Sequence, residues 1–141
     1  MSLFNIFDVA ATGLSAQNTR LNTVASNLAN AETVSGSPEV AYKSRQPVFA
    51  TALMNELDTS QNAATAGVRM LGVVESQAEN VGQFQPGNPL ANEDGFIYLS
   101  NVNVMEEMTN MMSASNSYQA NIEVMNTSKE MLLQTLQLGR L

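Results

Sequence analysis

The sequence predicts a mainly α protein with a small β-rich insertion, in which long N- and C-terminal helices pair as an α-helical coiled coil and the centre forms a module of short β-strands. Two observations predict it: both ends of the 141-residue chain carry apolar residues at heptad spacing, and the middle replaces that period with short β-branched runs separated by Gly and Pro. The expected division is a helix over 1–33, a β-rich module over 34–102 with a mobile loop at 55–67, and a second helix over 103–141.

In the first helix Phe7, Ala10, Leu14, Leu21, Val24, Leu28 and Ala31 stand in register, and only Gln17 is out of type. Asn5 is the expected N-cap, with Asp8 three residues on. Gly13 lies inside and costs about 1 kcal/mol relative to alanine. Such a helix needs a partner.

Beyond Glu32 the period stops, and Ser35-Gly36-Ser37-Pro38 is turn chemistry. Val40 to Phe49 suits an edge strand or extended segment, because Pro47 interrupts it. Asn55 to Gly67 has no sustained period and is expected to be mobile. Val68 to Glu75 reads as a strand. Gln83-Phe84 leads into an irregular crossing through Pro86-Gly87 and Asn88-Pro89, and Asp94-Gly95 turns into a strand at Phe96 to Leu99. Three or four short strands follow from this.

The second helix is the stronger of the two. Val104, Met108, Met111, Tyr118, Ile122, Met125, Leu132 and Leu136 recur at alternating steps of three and four, interrupted only by Ser115 and Lys129. Asn103 is the expected cap, Glu106 is placed to reach back to it, and Gly139 marks the stop. Helix capping also accounts for Glu107. Leu133 and Leu138 add apolar groups on further faces, so more than one partner is required. Met105, Met108, Met111, Met112, Met125 and Met131 are flexible fillers that suit varied partner shapes.

Composition narrows the function. Neither Cys nor His occurs, which removes thiolate nucleophiles, disulfides, the commonest metal ligands and the usual base at neutral pH. No catalytic residue, cofactor site or metal site is expected. Six basic against thirteen acidic residues give a net charge of -7, which disfavours nucleic acid and anionic membrane surfaces. Only 13% of residues are charged, while Asn and Gln number 25, so polarity is carried by amides that can be buried once hydrogen-bonded. No stretch is long and apolar enough to span a bilayer, and a cleavable secretory signal is not expected.

Asn92 to Ile97 faintly echoes a calcium loop, but Leu90 and Asn101 occupy its first and twelfth positions, so a turn is the better reading. Glu106 and Glu107 point about 100° apart on a helix and cannot serve one substrate atom. The Asn126-Thr127-Ser128 sequon falls mid-helix.

Two stretches carry a family likeness. Ser26, Asn27, Leu28, Ala29, Asn30 and Thr33 resemble the N-terminal signature of bacterial flagellar rod and hook axial proteins, and Ser117, Tyr118, Gln119, Ala120 and Asn121 resemble the matching C-terminal signature. The resemblance implies a structural subunit of a basal-body rod, exported without a cleavable signal peptide through the flagellar type III apparatus. It implies that the terminal helices form the inner layer of a torque-transmitting helical tube. Its partners would be other copies, other rod proteins and the MS-ring and export-gate region at the rod base. The expected assembly surfaces are Phe7, Leu14, Leu21, Val24 and Leu28 on the first helix. On the second they are Met108, Met111, Tyr118, Ile122, Met125, Leu132, Leu133, Leu136 and Leu138. The alternative is a soluble adaptor whose apolar seam binds one amphipathic helix of a partner protein.

Overall fold

The computed structural model describes residues 3–53 and 66–139. Its elements in chain order are helix α1 (Leu3–Ala29), strands β1 (Val34–Ser35), β2 (Arg45–Leu53), β3 (Ala66–Glu75), β4 (Gly82–Phe84) and β5 (Phe96–Leu99), and helix α2 (Val104–Leu138). In chain order a long helix precedes and another follows a small β region, as the periodicity predicts. The chain divides into two compact units, one of 1–19, 48–72 and 113–141 and the other of 20–47 and 73–112. Both helices pass through both units.

The second unit holds a three-stranded antiparallel sheet in the order β1-β5-β4. Its register sets Val34 against Leu99, Gln83 against Ile97 and Phe84 against Phe96. Ile97 is the buried centre of this sheet, and Ala41 is buried with it in the same unit. Phe84 and Phe96 meet edge to face, with ring centroids 5.2 Å apart. The turn into β5 follows from Asn92, whose Oδ1 accepts from the backbone N–H groups of Asp94 at 3.1 Å and Phe96 at 2.8 Å. Gly95 completes it with φ of 78°, a conformation that favours glycine. Strands β2 and β3 form a separate two-stranded sheet.

Several boundaries differ from the sequence expectation. Helix α1 begins at Leu3, so Asn5 lies inside it instead of capping it, and it ends at Ala29. There the Asn30 N–H is shared between the carbonyls of Ser26 and Asn27, tightening the last turn. The strand expected over Val40 to Phe49 starts later, at Arg45, because Val40 is part of an exposed turn after Pro38. Strands β1 and β4 are too short to show a period of two. Of the loop expected over 55–67, residues 55–65 lie outside the described residues, and Ala66 and Gly67 open β3.

Helix α2 begins where expected. Asn103 Oδ1 accepts from the N–H groups of Met105 at 3.1 Å and Glu106 at 3.4 Å. Glu107 is not part of this cap; it turns inward and is 4% exposed. The helix ends at Leu138, where the Gly139 N–H bonds the Thr135 carbonyl.

A Cβ at Gly95 would stand 3.0 Å from Phe84 Cε2 and 3.2 Å from Pro86 Cβ. Gly95→Val is expected to destabilise the protein by about 1–3 kcal/mol, lowering its urea midpoint, because strain and crowding act together. Gly87→Ala, at a position with open space around it, should leave the midpoint nearly unchanged.

Candidate assembly site

The helices have two kinds of face. In the unit of residues 20–47 and 73–112, α1 and α2 meet through polar groups. Asn27 is fully buried. Its Nδ2 donates to Glu107 Oε1 at 2.9 Å and to the Arg45 carbonyl at 2.7 Å. Its Oδ1 accepts from the Arg45 N–H at 2.9 Å and the Tyr42 hydroxyl at 3.0 Å. Two donors and two acceptors are the full capacity of an amide side chain, so burial leaves none of its polarity unpaired.

The same cluster extends outward. Ser44 Oγ donates to Glu107 Oε1 at 3.4 Å, and the Ser44 N–H donates to Asn101 Oδ1 at 2.6 Å. Asn80 Nδ2 bridges the carbonyls of Tyr42 at 3.0 Å and Leu99 at 2.8 Å, which joins the segment before β2 to the three-stranded sheet. Glu107 Oε2 is buried without a hydrogen-bond partner, so its carboxylate depends on Oε1 for the bonds it has. Arg20 Nη2 donates to Asn110 Oδ1 at 3.1 Å. Positions rise on α1 from 20 to 27 while their partners fall on α2 from 110 to 107, so the helices run antiparallel within this unit.

The other unit repeats the pattern with small residues. A Cβ at Gly13 would stand 2.9 Å from Asn121 Nδ2. The glycine that weakens α1 as an isolated helix is the one that admits the Asn121 amide. Thr12 Oγ1 accepts from the Val68 N–H at 3.2 Å, which ties the start of β3 to α1. Ala10, Ala114 and Ser128 are buried in this unit, Ala114 completely.

Gly13, Arg20 and Asn27 are seven residues apart, and so are Glu107, Ala114, Asn121 and Ser128. These two rows of small and polar residues supply hydrogen bonds and close approaches between the helices, whereas the sequence pairs the helices through their apolar rows, of which Ala10 and Val24 are buried. The difference is a rotation of about one residue: close approach selects short side chains, and buried amides and carboxylates select one another. The signal was legible as a second heptad.

The apolar rows are left partly or wholly open. On α1, Val24 is buried and Phe7, Leu14, Leu21 and Leu28 are half-buried. On α2, Met111, Tyr118, Met125 and Leu132 are half-buried, while Met108, Ile122, Leu133, Leu136 and Leu138 are exposed, the last two 65% and 73%. Met105, Met112, Val124 and Met131 are exposed too.

The signature residues divide likewise. Ser26 Oγ is 3.4 Å from the Tyr42 hydroxyl, Asn30 Nδ2 donates to the Ser26 carbonyl, and the Thr33 carbonyl accepts from the Ser100 N–H. Ala29, Gln119 and Ala120 are exposed; Ser117, Tyr118 and Asn121 are half-buried. Tyr42, Ser44, Asn80 and Asn101 escape sequence reasoning, because nothing in their spacing relates them to Asn27. Among the described residues, no group of three acidic side chains converges as a metal site, and no helix is long and apolar enough to cross a membrane.

Residues 7–35 match the family described as Flagella basal body rod protein, and residues 93–138 match Flagellar basal body rod FlgEFG protein C-terminal. The chain is similar to Flagellar basal-body rod protein FlgC of Salmonella typhimurium, 50% identical over 140 residues that take in 99% of this chain and 100% of that protein. The namesake of Yersinia enterocolitica is 47% identical over the same span. The chain belongs to the FlgC family of flagellar basal-body rod proteins. It is a structural subunit of the basal-body rod, which removes the adaptor reading. Every candidate residue from Phe7 to Thr33 and from Met108 to Leu138 lies inside one of the two matched segments.

Asn27→Ala removes the donor 2.9 Å from a carboxylate that is 4% exposed. It is expected to cost about 2–4 kcal/mol, more than an ordinary surface change, because Glu107 is left buried with one weak partner. Equilibrium urea unfolding followed by circular dichroism would measure the loss.

Proposed function

We propose that α1 and α2 pair as a coiled coil and form the inner layer of the rod tube, with the β-rich module over 34–102 outside it. The exposed apolar row of α2 seats on neighbouring copies and on other rod proteins, and its close-packed seams carry torque. At the base the subunit meets the MS-ring and export-gate region. It reaches the rod, which spans the periplasm, through the flagellar type III apparatus without a cleavable signal, and it carries out no catalysis.

One observation carries this reading: within the chain the helices bury Ala10, Ala16, Val24 and Ala114 and make polar or close contacts through Gly13, Arg20, Asn27, Glu107, Asn110 and Asn121, while Met108, Ile122, Leu133, Leu136 and Leu138 remain exposed. Apolar side chains repeated along several turns are costly in water, at about 25 cal/mol per Å², and mark a surface that another protein covers. Methionine suits seats of more than one shape. The low charge fraction, 13%, reduces the desolvation cost of covering the remaining faces.

Replacement of Leu21, Ile122 or Leu136 by aspartate tests it in a Salmonella typhimurium strain lacking its own FlgC. Ile122→Asp and Leu136→Asp are expected to abolish swimming and hook-basal-body completion while the purified subunit keeps its helical circular dichroism, because these side chains are exposed in the single chain. Leu21→Asp, at a half-buried position, should abolish swimming as well. Normal swimming by all three would refute the assembly surface.

Hydrogen exchange on the dilute subunit gives a second test. Amides in 5–19 and 115–138 are expected to exchange quickly and to gain protection on assembly, since a two-helix segment with one apolar face uncovered is marginal. Strong protection of those segments in the free subunit would count against ordering on assembly.

A further inference from the structure

We infer that the buried cluster of Asn27, Glu107 and the Arg45 backbone is a register clamp: it selects one axial alignment of α1 against α2 and ties that alignment to the start of β2. All the groups lie in one unit and are hydrogen-bonded to one another through Asn27, so the inference does not rest on the assembly reading above.

The rows that bring the helices together, Gly13, Arg20 and Asn27 on α1 and Glu107, Ala114, Asn121 and Ser128 on α2, repeat every seven residues, so a slip of one heptad, about 10 Å, again sets small or polar residues against small or polar residues. A buried amide facing a buried carboxylate would not tolerate such a slip. Only one alignment brings Asn27 Nδ2 to 2.9 Å from Glu107 Oε1; any other leaves a charge and an amide desolvated and unpaired. A buried polar residue that fixes helix register at a cost in stability is a known device. The unpartnered Glu107 Oε2 is a sign of such a cost here.

The clamp also reads the backbone. Asn27 bonds both the N–H and the C=O of Arg45, at 2.9 Å and 2.7 Å, a pattern that a displaced strand could not offer. Ser44 reaches the same carboxylate from the preceding position, and Tyr42 reaches the same amide. A single side chain thus aligns both helices with the root of β2.

The chain has no cysteine, so spin labels at Ala29→Cys and Met112→Cys, both exposed and in the same unit, report the alignment of the purified full-length subunit. The otherwise unchanged chain should give one narrow distance population. Asn27→Leu combined with Glu107→Leu should keep the helical signal and add a second population displaced by several ångströms, as a heptad slip requires. Glu107→Gln retains an acceptor for Asn27 and should keep the single population. If the double variant loses its helical signal, Glu107→Met is measured in its place. One unchanged narrow population in the leucine pair, or in Glu107→Met where that stands in, overturns the clamp. Because the labels are read on the free subunit, a motility defect without a second population supports the assembly surface and not the clamp.

Discussion

The structure depends on the burial of one amide. Asn27 has no exposed surface, and its polar atoms are paired with groups from different parts of the chain: Glu107 from α2, the Arg45 backbone from β2 and the Tyr42 hydroxyl from the segment before β2. Burying an amide is unfavourable until its hydrogen bonds are remade, so this side chain is accommodated only when all those segments are in place together. A three-way junction of helix, helix and strand is the consequence.

That junction explains an otherwise odd distribution of polarity. The inward positions Gly13, Arg20, Asn27, Glu107 and Asn121 are small or polar, while Leu133, Leu136 and Leu138 face water in the single chain. In a free-standing globular protein the order would be reversed. The assembly proposed above gives the inversion a physical reason: neighbours would supply the largest apolar burial, and the internal contacts would have the separate task of holding a defined geometry. Hydrogen bonds supply that geometry because they are directional, whereas apolar contact is not.

The β region follows a different logic. The strands of its three-stranded sheet are short, that sheet has a single deeply buried side chain in Ile97, and its shape rests on turn chemistry, notably Asn92 accepting from two N–H groups and Gly95 at positive φ. Asparagine side chains recur as its fasteners: Asn80 joins Tyr42 to Leu99, and Asn101 joins Ser44 to Ala78. The abundance of amides in the composition thus serves the interior of the junction as much as any outer surface.

From sequence alone came the two long helices, the strands at Val68 to Glu75 and Phe96 to Leu99, the Asn103 cap, the Gly139 stop and the family likeness, because each rests on local period or local turn chemistry within a few residues. The tertiary structure decided which heptad row faces inward. Glu107 reads locally as a helix-capping residue, and only the arrival of Asn27 from eighty residues away turns it into a buried acceptor. Gly13 reads as a weakness until Asn121 fills the space beside it. Periodicity announces that a helix has a face to cover, but hydrogen-bond satisfaction between distant segments settles which face the chain covers by itself.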